Sequence, residues 1–502
     1  MDPSLPCARC IAIRGGRIAE VVPSGRNAAD LHGDLVIDLG GRTVLPGFVD
    51  AHCHVRAFAE SLVSIDLSPG AAVDSIGALK ARVRESCQGR APGTWIKGRG
   101  YSEFHLAEKR HPSRWDLDEA APDHPVKLTH RSGHAHVLNS LACRLAGITM
   151  ESGDPPGGMI DRALPGGEPT GLLFGMGGYL ANRVRPVGEE EIETGVVRAN
   201  EWFLSRGITS VQDASSHNGP GEWSRFERWK EHGMFEPRVT MMMGVSGFRE
   251  WRKEAYPRTV VEEWLRPGPV KLVTGEVTGS LHPPQDELDQ LVLEIHRSAM
   301  QTAIHAIEEN AIEAAALSIE KALAVLPRSD HRHRIEHCSV CPPALAGRLA
   351  KSGIAVCSQP SFLYESGDRY LETVPEQQKA YLYPVSTMAR KGVLVAFGSD
   401  APISVPDPLV GIRAAVGRTS LSGRVVLGEE RVTVDEALRM HTIDAARAAF
   451  EEKSKGSITP GKLADLVVLN RDPRTAEPGR FDNIAVDMTI VGGKVVWSKA
   501  QS

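Results

Sequence analysis

Eight short apolar runs punctuate the middle of the chain, most of them separated by stretches of helical period. They are TVLPGFVDAH (43–52), ITSVQDA (208–214), RVTMMMG (238–244), PVKLVTG (269–275), QTAIHA (301–306), HRIEHC (333–338), IAVCSQP (354–360) and VLVAFGSD (393–400). Runs of this length read as strands. Segments such as DELDQLVLEIHRSAM (286–300) and ENAIEAAALSIEKAL (309–323) read as helices. Strands joined by helical crossovers predict a parallel sheet, and eight of them predict an α/β fold of the (β/α)8 TIM-like barrel type. Residues 53–207 separate the first two strands, far beyond a normal crossover. An inserted α+β subdomain is therefore expected after strand one, at 60–190. The two ends of the chain share a different style, short strands with tight turns. Gly15-Gly16 and Gly492-Gly493 each sit between apolar runs, as hairpin turns do. One small sheet domain built from both termini is expected.

Composition narrows the class. The chain has 502 residues, is 41% hydrophobic and 24% charged, and carries a net charge of −5. That balance excludes strong general attraction to nucleic acid or to an anionic membrane. No run reaches the ~18 apolar residues that a membrane span needs. The first residues lack the long apolar core and cleavage site of a signal peptide, so a cytoplasmic protein is expected. Cysteine is sparse, eight in all, and a reduced state is the default. Cys7/Cys10 and Cys338/Cys341 have C-x-x-C spacing, but neither pair has a thioredoxin-like context or a second pair nearby. The cysteines read as packing residues.

In a barrel of this kind the chemistry sits where the strands end. Strand one ends in Asp50-Ala-His52-Cys-His54, strand four contains Lys271, strand five ends at His305, strand six at His337 and strand eight at Asp400. Residues two apart on a strand share a face, so His52 and His54 enter one site. Neutral imidazoles and a carboxylate suit one or two divalent ions, with zinc expected. A buried lysine can lose its proton and take up CO2 as a carbamate, so Lys271 is a candidate N6-carboxylated ligand. Glu276, in the loop after strand four, is the alternative ligand from that strand. Singly, each signal has a plainer reading. A lone His is usually hydrogen-bonded structure, Asp400 could cap the following helix, and Lys271 could snorkel to the surface. The ordered recurrence of metal-ligand types, strand by strand, is what favours the metal reading.

These motifs resemble those of the amidohydrolase superfamily, more narrowly its amidohydrolase-3 group, which includes YtcJ-like proteins and N-substituted formamide deformylase. The matching segments are LPGFVDAHCH (45–54), WIKGRGY (95–101), PVKLTHRSGHAHVLNSLA (125–142), GITSVQDA (207–214), IHAIEENAIEAA (304–315), HRIEHC (333–338), FGSDAPIS (397–404) and PGKLADLVVLN (460–470). The resemblance implies that His52 and His54 bind the more buried ion with Asp400. It implies that His305 and His337 bind a second ion, and that Lys271, carboxylated, bridges the two. It further implies a β-sandwich of 1–45 and 450–502, a barrel of 46–59 and 191–449, and an insertion at 60–190 folded over the barrel mouth. Two departures stand out. Ile307-Glu308-Glu309 replaces a common Gly-Asp, and PTGLLFGMGG (169–178) lacks the acidic residue that often follows.

The expected chemistry is hydrolysis of a C–N bond in a small-molecule amide, formamide or carbamate by metal-activated water, with Asp400 moving the proton. Tyr101, Arg131, His134 and Gln359 are candidate substrate contacts, His134 because the group keeps a His there. His134 and His136 also form an H-x-H, but no further ligands cluster nearby in the sequence. The competing readings are a mononuclear hydrolytic deaminase, a metal-dependent decarboxylase, a non-catalytic scaffold, and a metal-free sugar- or phosphate-binding barrel. No Gly-rich phosphate loop supports the last. A small-molecule substrate and a homodimer are the expected partners.

Overall fold

The computed structural model describes residues 7–23, 33–155, 157–254, 263–277, 280–476 and 481–499. Residues up to Val55 and from Asn200 onward form one compact unit, and Arg56–Ala199 form a second.

The first unit contains the barrel. Its strands are β1 (Phe48–Cys53), β2 (Ile208–Asp213), β3 (Arg238–Gly244), β4 (Leu265–Val273), β5 (Thr302–Ala306), β6 (Arg334–His337), β7 (Ala355–Ser358) and β8 (Val395–Phe397). Each pairs in parallel with the next in chain order. The seam between β8 and β1 is nearly closed by two backbone bonds just beyond the strand ends. Asp400 N–H donates to the His52 carbonyl at 2.6 Å, and His54 N–H donates to the Ala401 carbonyl at 2.8 Å. Gly398 makes this approach feasible, because a Cβ there would stand 2.5 Å from the His52 nitrogen. Helices such as Gln285–Arg297 and Glu309–Val325 lie between strands as their sequence period predicts.

The first expected strand, 43–52, is in fact two. Thr43–Pro46 pairs antiparallel with Leu466–Leu469 in a four-stranded sheet that also holds Val486–Val491 and Lys494–Ser498. Only Phe48–Cys53 enters the barrel. A two-stranded hairpin, Ala8–Arg14 with Arg17–Pro23, completes the terminal sheets. Both expected Gly-Gly turns have positive φ at each glycine, 58° and 76° in the first and 56° and 76° in the second, as a primed hairpin turn requires. The apolar segment LVID (35–38), read from sequence as part of one of the N-terminal short strands, forms no strand: Leu35 and Val36 are exposed, and no described strand pairs with it.

The second unit has its own core around Leu67, Leu79, Ile96, Val126, Leu128 and Val137. Its six-stranded mixed sheet includes Ile96–Tyr101, Val126–His130 and Ala135–Leu138. Asn139 ties the sheet to its helices. Its amide oxygen accepts from Val126 and Ala142 at 3.0 Å each, and its nitrogen donates to the His124 carbonyl at 2.9 Å. Among the described residues no helix is long and apolar enough to cross a membrane.

At the N-terminal ends of β5 and β6, three histidines are locked into single tautomers. Thr302 N–H donates to His333 Nδ1 at 2.9 Å, and His333 N–H donates to His331 Nδ1 at 2.9 Å. The second nitrogens meet His296 Nδ1 and the Ser352 carbonyl, both at 2.8 Å. Burial, then the nearby His331 and Arg328, holds His333 down at about 2. The unfolded chain therefore takes up a proton below about pH 6.5 that the folded chain refuses. Stability is expected to fall as the pH drops from 7 to 5, by about 2 kcal/mol from His333 alone. In a His333→Gln variant the stability lost between pH 7 and 5, read from denaturant titrations, should shrink by that amount. An unchanged loss would show that His333 is not the group responsible.

Candidate metal centre

β1 delivers two imidazoles to one place because residues two apart on a strand project alike. His52 Nε2 lies 3.5 Å and His54 Nε2 3.0 Å from the same Asp400 oxygen. Asp400 arrives from the loop after β8 with φ at 58°, a left-handed conformation that aspartate tolerates better than most residues. His52 is buried and His54 half-buried. Among the described residues, these three donor atoms converge within the reach of one ion.

Every one of these imidazoles has its other nitrogen occupied. His52 Nδ1 meets the buried Glu336 carboxylate, His54 Nδ1 lies 3.0 Å from Ser215 Oγ, and His337 Nδ1 donates to Gln359 Oε1 at 2.8 Å. A carboxylate and an amide oxygen only accept, so His52 and His337 carry their proton on Nδ1 and keep Nε2 as a lone pair. That is the arrangement a metal-binding histidine needs, with the outer partner setting tautomer and ring orientation. The donor set therefore fits a divalent cation.

Glu336 is itself anchored. Arg334, two residues earlier on β6, pairs with it and donates to the Ala51 carbonyl at 2.7 Å and to Gln212 Oε1 at 2.5 Å. Both side chains are fully buried. Burial alone would raise the Glu336 carboxyl, but Arg334 and His52 outweigh it and hold the group well below the usual carboxylate range. Asp400 follows the same logic: burial pushes its carboxyl up, and His54, His52 and His337 bring it below the normal range. Burial, then Lys271, lowers His52 to about 3, so it stays neutral. A second grouping, His52 with Glu336 and Cys357, is the anchor and not another ion site, since Glu336 is already engaged by Arg334 and His52.

The remaining candidate ligands stand around this core. Lys271 is buried, with Nζ 3.5 Å from His52 Nε2, and burial lowers its ammonium towards the neutral amine that carbamate formation needs. The His337 ring lies 4.9 Å from that of His52, and the His305 ring 4.5 Å from His337. The Glu276 side chain lies outside the described residues. Gln359 joins the centre through His337. Tyr101, Arg131 and His134 belong to the other unit. Tyr101 is fully buried there with its hydroxyl 3.0 Å from His111 Nδ1, Arg131 donates its N–H to the Tyr101 carbonyl at 2.9 Å, and His134 is exposed. His136 is buried, lies 3.3 Å through Nδ1 from Thr129 Oγ1, and is kept neutral by burial.

Sequence reasoning missed Glu336, Arg334 and Ser215. One signal was available: a strand buried throughout, carrying Arg and Glu two apart, places two charges side by side in a core where charged residues are rare.

The family model described as "Amidohydrolase family" matches residues 35–497. The N-substituted formamide deformylase of Arthrobacter pascens is 29% identical over 542 residues, covering 100% of this chain and 97% of that protein. Protein LONG AFTER FAR-RED 3 of Arabidopsis thaliana is 30% identical over 531 residues, covering 99% and 89%. The solved structure of an uncharacterized metal-dependent hydrolase from Pyrococcus horikoshii shares the fold, with a TM-score of 0.74 at 23% identity over 94% of this chain and 95% of that one. The family match takes in every strand that carries a candidate ligand, and this chain therefore belongs to the amidohydrolase family, as an enzyme that hydrolyses carbon–nitrogen bonds.

Proposed function

We propose that this enzyme cleaves the C–N bond of a small-molecule amide, formamide or carbamate with water activated at a divalent centre, zinc being the expected ion. The observation that carries this reading is the convergence of His52 Nε2, His54 Nε2 and Asp400 Oδ1, with both Nδ1 atoms partnered on the far side. The deformylase relative named above supports the formamide class. When bound, a divalent ion supplies Lewis acidity, acidifying water and drawing charge from a carbonyl oxygen.

The chain's own groups do the rest. Asp400, ionised and aimed into the centre, accepts the proton of the attacking water. The water oxygen bonds to the carbonyl carbon, the C–N bond breaks, and Asp400 returns the proton to the departing nitrogen. The products are a carboxylic acid and an amine. His337, its tautomer fixed by Gln359, keeps Nε2 free for a second ion or for the substrate carbonyl. Lys271 as a carbamate would bridge two ions and leave no ammonium beside His52.

Chelation is expected to abolish hydrolysis of an N-alkylformamide and to lower the melting temperature, and zinc to restore both. Full activity in protein shown by elemental analysis to be metal-free would sink the reading. The ion count separates a second reading, hydrolytic deamination at a mononuclear centre. It is favoured by the fact that three donors, and no larger set, converge among the described residues. One ion per chain with ammonia as product supports deamination. Two ions with an alkylamine as product support amide hydrolysis.

A further inference from the structure

The run ITSVQDA carries an aspartate that the converging donor set leaves out. Asp213 ends β2 and is buried. Three donors meet on its carboxylate. Val55 N–H donates to Oδ2 at 2.7 Å, Ser215 N–H donates to Oδ1 at 3.1 Å, and Asn218 Nδ2 donates to the same Oδ1 at 2.7 Å. Val55 directly follows His54, and Ser215 is the residue whose hydroxyl lies 3.0 Å from His54 Nδ1. One carboxylate therefore grips the backbone on both sides of the His54–Ser215 contact. The grip is tied to the neighbouring strands. Ala214 N–H donates to the Cys53 carbonyl of β1 at 2.8 Å. Asn218 Nδ2 also donates to the Met242 carbonyl of β3 at 3.0 Å, and the Asn218 carbonyl accepts from Gly244 N–H at 2.9 Å.

His54 depends on such a clamp more than His52 does. His52 is fully buried, and the Glu336 carboxylate faces its Nδ1. The His54 side chain is 27% exposed, and its outer partner is a neutral hydroxyl that is free to rotate. A ligand must be held within about 0.5 Å of its working position by groups that are themselves fixed. We propose that Asp213 is a positioning residue for the centre. By fixing Val55 and Ser215 to one carboxylate, it keeps His54 Nε2 where it can bind the ion, without itself touching ion or substrate. This rests on the metal-hydrolase reading above and deepens it. An amide at position 213 cannot do the same work, because it has one oxygen where the carboxylate has two. Turned one way, its NH2 faces the Val55 N–H; turned the other, it faces the Ser215 N–H and Asn218 Nδ2, so one side of the clamp opens.

The test is a double-mutant cycle on the full-length protein, with zinc affinity read by competition with a chelator and thermal melts of the metal-free chains run in parallel. Asp213→Asn is expected to weaken zinc binding by about tenfold or more. In a His54→Ala background the same substitution should change the affinity by less than about twofold, because the side chain it positions is gone. The fall in melting temperature should be alike in both backgrounds, which separates positioning from general loosening of the barrel. An equal loss of affinity in both backgrounds overturns the proposal, and so does an Asp213→Asn chain that binds zinc as tightly as the parent. Asp213→Ser, which removes the buried charge and keeps a single acceptor, runs the same cycle if Asp213→Asn does not fold. If His54→Ala alone leaves zinc affinity unchanged, His54 is no ligand and the metal reading itself fails, a result distinct from the failure of Asp213.

Discussion

Asp400→Asn is expected to lower kcat by about 10³-fold while leaving the barrel folded. Asparagine keeps the shape of aspartate and accepts the left-handed φ of 58° at this position, so the seam bonds around His52 and His54 have no reason to change. What disappears is the anion that faces His54 Nε2 at 3.0 Å and that would carry the proton from water to nitrogen. Because Asp400 is also a candidate ligand, ion content must be measured alongside turnover. With the ion fully bound, a thousandfold loss assigns the proton transfer to Asp400. Wild-type turnover under the same condition removes that assignment.

The second large effect is expected at Glu336. Glu336→Gln leaves Arg334 buried without its anion, and breaking a buried pair in this way typically costs about 3–5 kcal/mol. It also exchanges the carboxylate that accepts the His52 Nδ1 proton for a neutral amide, which makes the imidazole a poorer ligand, so affinity for the ion should fall by about 10–100-fold. The two consequences can be separated. Arg334→Met combined with Glu336→Gln takes both charges out of the interior and is expected to recover much of the stability, because a well-packed apolar side chain replaces the stranded cation. Ion affinity, read by competition with a chelator, should stay weak in the double variant, since the carboxylate facing Nδ1 is still missing. If stability and affinity recover together, Glu336 acts only as a structural partner of Arg334 and the positioning role is wrong.

The barrel was legible because its signal is local and repeated. Buried parallel strands must be apolar along their whole length, and the intervening helices carry their own period. The expected strand at 238–244 and the helix expected at 309–323 appear as Arg238–Gly244 and Glu309–Val325. The error at 43–52 has a simple cause. Thr43–Pro46 and Phe48–Cys53 are both apolar and extended, and nothing in a single apolar run says that its halves pair with different sheets. LVID shows the same limit, since strand-forming residues form a strand only when a partner edge reaches them.

The site divides along a similar line. Residue types and strand order were enough to nominate His52, His54, His305, His337, Lys271 and Asp400, because ligand chemistry is written in side-chain identity and the barrel brings strand ends to one rim. Which of them share an ion's reach depended on distances between strands far apart in the chain. The structure draws His52, His54 and Asp400 into one donor set and puts His337 and His305 a ring away from it. The anchors Glu336 and Ser215 emerged only from the fold, as did the hydrogen bond of Gln359 to His337 in place of the substrate contact expected of it, through hydrogen bonds spanning 284, 161 and 22 residues. Local sequence encodes what a residue can do and which way it faces along its own strand. What it does here is set by the partner that chain folding places across the barrel, and no short-range pattern carries that information.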